Sequence, residues 1–474
     1  MRKHLLFILL ILTLNLAAQN NVYSPYSYYG IGLPAPQNGV FSLGMGGIGQ
    51  AVGGSTMVNT SNPASYAYNQ KVNFEFNIYG KLTTLHDSAG YYDFKTYNFG
   101  RMNLAFPIGK KKNTGASFGV MPLTYAGYDM QRKFTTPLAH TDYYSGKGGV
   151  NKVYLGAGHS FNKYITIGAN INYLFGNLSY KRTTTFDTAY INNYYLENQT
   201  IIRGLNFDLG IQLKAFKQTI KDSIKYRQDD SVYVRAGKHK AGQDSMVHIK
   251  KYAYRKDNDT ITYIFTWGAT YKTGSNANAL RDVYGVTFKD YYLPFSAKSI
   301  SVNDTVKYSV DEKGKVVIPG SLAIGFSVSN QHKTDGRNNF LISGEFDYSN
   351  WSAYRNYGNI DSMHESYSVR LGGYYKPAKL YRTDYFNLVE YRMGAHYTRT
   401  PLMMRGNTIS DYGISIGLGL PIVFKNHTSG IINLALEAGK MGTISNNLTA
   451  DNYIKLSLGF NLLSEQWFQH YKYE

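Results

Sequence analysis

The sequence predicts an all-β chain that crosses a membrane as a 14-stranded antiparallel transmembrane β-barrel. Three observations carry that reading. The chain opens with an export leader, its body alternates apolar with small or polar residues in segment after segment, and tyrosines sit at the ends of the apolar faces.

The leader comes first. Arg2 and Lys3 precede an unbroken apolar run from Leu5 to Leu14, and the small pair Ala17 and Ala18 stands before polar Gln19. Basic start, short apolar run and small-residue end make a secretory signal peptide over 1–18, which directs the chain through the general secretory pathway. The run is too short to cross a ~30 Å hydrocarbon core as a helix, which takes ~20 residues. No later segment is both long and apolar enough, so a membrane is crossed by strands or not at all.

The strands follow from side-chain period. Ile165, Ile167, Ala169, Ile171, Tyr173 and Phe175 share one face, against Thr166, Gly168, Asn170, Asn172 and Gly176 on the other. Tyr412, Ile414, Ile416, Leu418, Leu420 and Ile422 repeat the pattern against Gly413, Ser415, Gly417 and Gly419. So do the segments 205–213, 322–329 and 454–462. Period two over about 9–11 residues is what a tilted strand with one lipid face and one lumen face requires. A soluble sandwich would alternate in the same way. It would not place Tyr173, Tyr271, Tyr348, Tyr375, Tyr397 and Tyr412 at the ends of apolar faces, as the aromatic girdles of a membrane barrel do.

Strand centres fall near residues 76, 102, 119, 156, 170, 209, 268, 324, 346, 371, 394, 417, 435 and 457, which makes fourteen. An even count returns both ends of the barrel to the periplasm. Short connections at Gly109–Gly115, Asn162–Tyr164, Gln331–Asn338 and Lys425–Gly430 then read as periplasmic turns. Met130–Lys152, Tyr180–Gly204 and Gly274–Val317 read as long outer loops, rich in tyrosines such as Tyr190, Tyr194, Tyr195, Tyr284, Tyr291 and Tyr292. Two periplasmic connections are too long for minimal turns. One is Lys379–Val389. The other, Lys217–Asp259, carries eleven Lys or Arg against six Asp and reads as a basic insertion, either a prolonged hairpin through Asp229, Ser231, Tyr233 and Arg235 or a strand pair that would raise the count to sixteen. As a charge run it is ordinarily a solvated turn; as a functional element it is a periplasmic docking surface for a protein or for peptidoglycan.

Composition narrows the function. Cysteine is absent, which excludes disulfides, zinc–thiolate sites, a thiol nucleophile and a lipidated cysteine after the leader. The 11 His are scattered without metal-ligand spacing, so no metal site and no cofactor is expected. His159-Ser160 and His364-Glu365-Ser366 place His beside Ser, but neighbours in a strand point to opposite faces, so neither pair makes a nucleophile and its base, and the chain is not read as an enzyme. The formal charge of +19 would suit nucleic acid in another compartment. Behind an export leader it suits outer-membrane lipid and lipopolysaccharide, so no nucleic-acid partner is expected.

The segment before the first strand is rich in Gly, Ser and Tyr. Gly44, Gly46 and Gly49 match the letters of a dinucleotide fingerprint, but no strand leads in and no helix is signalled after it. Gly44-Met45-Gly46-Gly47-Ile48-Gly49-Gln50-Ala51-Val52, followed by Thr60-Ser61-Asn62-Pro63-Ala64-Ser65, resembles instead the N-terminal hatch of the long-chain fatty-acid transporter (FadL) superfamily of outer-membrane barrels. Ile318-Pro319-Gly320-Ser321-Leu322-Ala323-Ile324-Gly325, Glu345-Phe346-Asp347-Tyr348-Ser349-Asn350-Trp351-Ser352 and Leu371-Gly372-Gly373-Tyr374-Tyr375-Lys376-Pro377 are also similar to that family. The opening Ser24–Gly32 and the ending Glu465–Lys472 resemble its Bacteroidota-type branch, which also contains accessory barrels of export machinery.

The resemblance implies a 14-stranded barrel with an N-terminal luminal hatch. The expected organisation is a leader over 1–18, a hatch over 19–70 and a barrel over 71–474, with the insertion at 217–259. Gly44, Gly46, Gly47, Gly49, Asn62, Pro63 and Ala64 are then the gate residues. The resemblance also implies that small hydrophobic molecules enter from outside, pass the hatch and leave sideways or downward. The lumen faces carry Glu75, Arg101 and Asp208, and further Glu345, Asp347, Arg370, Arg392, His396, Glu437 and Lys455. Charges of both signs inside a barrel ordinarily pair to hold the hatch; the functional reading is that some Arg residues meet a carboxylate headgroup. Two functions stay open, a gated channel for hydrophobic or amphipathic molecules and a non-transporting accessory barrel of an outer-membrane protein secretion or assembly complex with a protein partner.

Overall fold

The computed structural model describes residues 22–188, 190–235, 246–289, 302–332, 338–361, 363–377, 384–423 and 428–464, with backbone alone over 220–259. The leader, Tyr291 and Tyr292, part of the Lys379–Val389 connection and the chain after Ser464 lie outside the described residues.

Fourteen antiparallel strands close into a barrel. They are β1 (Val72–Asp87), β2 (Gly90–Ile108), β3 (Thr114–Pro122 with Thr124–Phe134), β4 (His140–Ser160), β5 (Ile165–Phe186) and β6 (Asn193–Arg235). Then come β7 (Met246–Lys272 with Ser275–Phe288), β8 (Val302–Ile318 with Ser321–His332), β9 (Phe340–Ser349) and β10 (Ser366–Tyr375). The last four are β11 (Glu390–Met404), β12 (Asn407–Val423), β13 (Thr428–Gly442) and β14 (Ala450–Ser464). Each expected strand centre falls in one of them, in order. Closure is the ladder of β14 on β1, from Ser464 opposite Val72 to Ala450 opposite His86. No edge is left in the wall there, which is what lets a sheet stand in hydrocarbon.

Three strands are built in two pieces. The halves of β7 both pair with β6, and the lower half of β8 pairs with the lower half of β7 while the upper halves pair with each other. The expected long outer loops are corrected here: Met130–Lys152, Tyr180–Gly204 and Gly274–Val317 are mostly strand, because the ladders β4–β5, β5–β6 and β7–β8 continue past the membrane zone. Backbone groups freed of lipid still need partners, and pairing supplies them. The insertion resolves as a prolonged hairpin, not a strand pair of the wall: β6 stays opposite β7 from Asp208 and Lys272 to Arg235 and Met246, and the count remains fourteen.

Burial confirms the two faces. Ile167, Ile171 and Tyr173 are exposed while Thr166, Asn170 and Asn172 are buried. Ile414, Ile342 and Leu371 are each more than 60 % exposed, an arrangement water would not tolerate over a whole wall and lipid does. Tyr173, Tyr271, Tyr348, Tyr397 and Tyr412 ring the outer end of this belt, and Tyr164, Tyr375 and Tyr391 the other end, all exposed. The chain is an outer-membrane barrel.

Candidate functional site: the plugged lumen

The segment from Val22 to Gln70 lies inside the barrel, and most of it is buried. It has little regular structure: a 3-10 turn at Pro25–Tyr28, a one-turn helix α1 (Val40–Leu43) and a 3-10 turn at Pro63–Tyr68. Seating so irregular a segment in a lumen demands partners for its backbone, and the wall provides them. The Glu345 carboxylate of β9 accepts the amides of Gly49 at 2.7 Å and Gln50 at 3.0 Å, while Arg370 of β10 donates to it at 2.8 Å. Arg370 also pairs with Asp347. Arg101 of β2 holds Glu75 of β1 with two nitrogens and donates to the Val58 carbonyl at 2.7 Å and the Thr60 hydroxyl at 2.8 Å. Ser415 of β12 receives the Gly46 amide at 2.8 Å.

The gate residues read from the sequence all fall in this segment. Gly46 and Gly47 have φ of 70° and 81°, a left-handed pair that ends α1, with Gly47 donating to the Ser42 carbonyl at 2.8 Å. Gly44 packs on Gly417 of β12, and Gly49 faces Ser61 without room for a side chain. Asn62 accepts the Ala64 amide at 3.1 Å, which starts the Pro63–Tyr68 turn, and donates to the carbonyls of Gln50 at 2.9 Å and Ile211 at 3.0 Å. The lumen-facing glycines of the strands have a matching purpose. A Cβ on Gly210 would collide with Asn62, on Gly268 with the Gln50 carbonyl, on Gly394 with the Met45 backbone. The wall is bare where the plug leans on it.

Besides Arg101 with Glu75, and Asp208, which accepts from Asn170 at 3.1 Å, the luminal charges form three groups. Glu345, Asp347 and Arg370 hold the loop at 49–50, as described. Arg392, fully buried at its side chain, donates to Asn433 and Glu390 at 2.7 Å each and lies over the Phe41 ring at 4.2 Å. Higher in the barrel, Lys455 pairs with Glu437 at 2.8 Å, His396 stands 3.6 Å from Asp411, and the Tyr453 hydroxyl donates to Asp411 at 3.0 Å and Glu437 at 3.2 Å.

Two parts of the site escaped sequence reading. First, within the expected 19–70 segment it is residues 22–36 that plug the outer mouth, a division the sequence does not mark. Tyr26 and Ile31 pack among Leu174, Ile202, Met363 and Met441, the Ser24 hydroxyl donates to Asp451 at 2.5 Å and the Tyr26 hydroxyl to the Thr449 carbonyl. Second, the wall is interrupted between β2 and β3. The first half of β3 pairs with β2, from Ile108 opposite Thr114 to Met102 opposite Val120. Above Pro122, among the described residues, no ladder joins 124–134 to 90–101. The plug fills that seam. Leu33 and Pro34 pair with Tyr125 and Thr124, the Ala35 amide reaches the Leu123 carbonyl at 2.9 Å, Tyr125 donates to the Phe99 carbonyl at 2.9 Å, and Tyr23 stacks on Phe94 with ring centres 4.7 Å apart. Pro122, lacking an amide, was the available signal for a break in the sheet.

Between the outer plug and the 37–70 loop lies a cavity of about 500 Å³, within the range of small-molecule pockets. Leu33, Leu123 and Tyr125, the residues at the seam, line it together with Lys152, Asp208 and Lys455. For His159 and Ser160 the structure gives no joint site: His159 faces Thr114 at 2.7 Å and Ser160 faces Thr166 at 2.9 Å.

Among known proteins, no curated sequence matches. The fold is similar to that of a Pseudomonas aeruginosa FadL homologue, with a TM-score of 0.53 at 11% identity over 91% of this chain and 99% of that one. It is also similar to a TodX monoaromatic hydrocarbon channel carrying the deltaS2S3 deletion, with a TM-score of 0.51 at 12% identity over 90% and 98%. The expected FadL-type barrel is thus the fold of this chain. The sequence profile of BamG matches residues 1–264 and 265–474, and the chain belongs to the BamG family.

Proposed function

We propose that this barrel is an outer-membrane channel for small hydrophobic or amphipathic molecules, gated by the N-terminal segment that serves as its hatch. The observation that carries the reading is the meeting of the cavity with the seam: Leu33, Leu123 and Tyr125 border both. Displacing the Leu33–Pro34 pairing opens a sideways path from the cavity without breaking a strand-to-strand ladder of the wall. The TodX monoaromatic hydrocarbon channel of similar fold supports the same reading. Apolar contacts at the seam suit an apolar tail, while Lys152 and Lys455 suit a polar head.

The test is purification in mild detergent followed by mass spectrometry of what stays bound. About one small amphiphile per barrel is expected, lost when Asn62→Ala and Pro63→Ala are combined. A lumen without lipid would overturn the reading.

A second reading has its own observation. The β6–β7 ladder runs far beyond the barrel rim, which a channel does not need. It suits a non-transporting accessory barrel of a protein secretion or assembly complex. Under that reading the barrel purifies with stoichiometric protein partners and an empty lumen.

A further inference from the structure

The ladder of β6 with β7 leaves the barrel wall at its periplasmic end. The last partner of β6 on its other side is Ile165, opposite Leu213, and the last partner of β7 is His332, opposite Ile261. Beyond these, 220–235 and 246–260 pair only with each other, a two-stranded ribbon reaching about 50 Å at ~3.3 Å per residue. A register shift between Lys221 and Ile224 bends it at its base. A lone two-stranded hairpin is marginal in water and ordinarily needs a third strand or a packing surface. Both ribbon edges lack a neighbour among the described residues.

The register sorts its residues onto two faces. Val232 stands opposite Ile249 and Val234 opposite Val247, which gathers four β-branched apolar residues on one face at the far end. The other face takes Lys225, Arg227, Arg235, Lys250 and Lys256 with Asp229 as its one carboxylate. Tyr233, Tyr252 and Tyr254 fall on that same face. Peptidoglycan or lipid phosphate would answer the basic face and leave the apolar end in water. A second copy would set like charges together. A protein surface answers both.

We infer that the ribbon is a docking arm for a periplasmic protein whose contact surface is acidic and carries an apolar strip for the far end. The arm acts by extended-strand and charge pairing together, so its affinity is salt-dependent while its specificity lies in the apolar end. This inference deepens the second reading, which rests on the same ladder, and is independent of whether the lumen carries a ligand.

The test places a photocrosslinking amino acid at Tyr233 and, separately, at Val247 in the full chain in its native outer membrane, with Ile416 on the lipid face as control. The expected result is the same protein adduct from both arm positions and none from Ile416. That protein, made separately, should bind the purified barrel with an affinity falling about tenfold between 50 and 300 mM salt, and falling similarly with Arg235→Glu and Lys250→Glu combined. Heat-modifiable gel mobility, which reports the closed barrel, should be unchanged in that variant, as should any lipid bound in the lumen. Adducts only to lipid or glycan, no adduct, or equal binding to a barrel lacking 220–259 would each overturn the inference.

Discussion

At the residue scale, the plug is held by a few charged groups that have no other partner of equal quality. Glu345 is the clearest, since two plug amides and Arg370 converge on one carboxylate that is almost wholly buried. Glu345→Gln leaves Arg370 with Asp347 as its one carboxylate partner beside the Ser368 hydroxyl, and weakens two amide contacts. Removing one member of a buried pair costs about 3–5 kcal/mol, and here the loss falls on plug seating. The 37–70 segment should become accessible to protease while the barrel stays resistant. Gly210→Val tests the same seat from the wall: a side chain there displaces Asn62, so ion conductance should rise severalfold in planar bilayers without loss of barrel closure.

At the element scale, the outer extensions of β4, β5 and β6 are hairpins standing in water and carry their own ion pairs. Burial alone would push the Asp142 carboxyl up, but hydroxyls of Thr184 and Tyr144 donate to it and the Arg182 guanidinium lies at 2.9 Å, which together hold it below the usual carboxylate range. Its folded value lies under its unfolded one. The stability it contributes is therefore complete above about pH 4, the unfolded value, and is lost as pH falls through the folded value. Amide exchange in 140–146 should be slow at pH 7 and, after correction for intrinsic rates, should rise below pH 4. Asp142→Asn should raise it already at neutral pH, by the ~1.5–3 kcal/mol of bonds to a charged group.

At the scale of the whole molecule, the exposed apolar belt is the membrane contact. Ile416→Arg places a cation at the middle of the belt, where the cost is about 2–4 kcal/mol. Its midpoint for refolding into lipid vesicles should shift accordingly, whereas the same change at Tyr412, at the interface, should cost less than half as much. Equal costs at the two positions would mean that the belt is covered by protein.

The sequence by itself determined the exported barrel, its fourteen strands and which face of each meets lipid. These follow from local period: a side chain two residues on must return to the same face, so Ile165 to Phe175 announce a lipid wall without any knowledge of their neighbours. It also put Glu345, Arg370 and Arg392 on the faces opposite the apolar ones, because side chains of a strand alternate. Only the tertiary structure decided what those charges hold. Glu345 and the amide of Gly49 are brought together from distant parts of the chain by closure of the barrel, and no period encodes that meeting. The same is true of Leu33 on Tyr125, which fills a gap that exists only because β3 parts from β2 at Leu123. Long-range pairing of an irregular segment leaves no repeating trace in sequence, whereas a strand in a wall does.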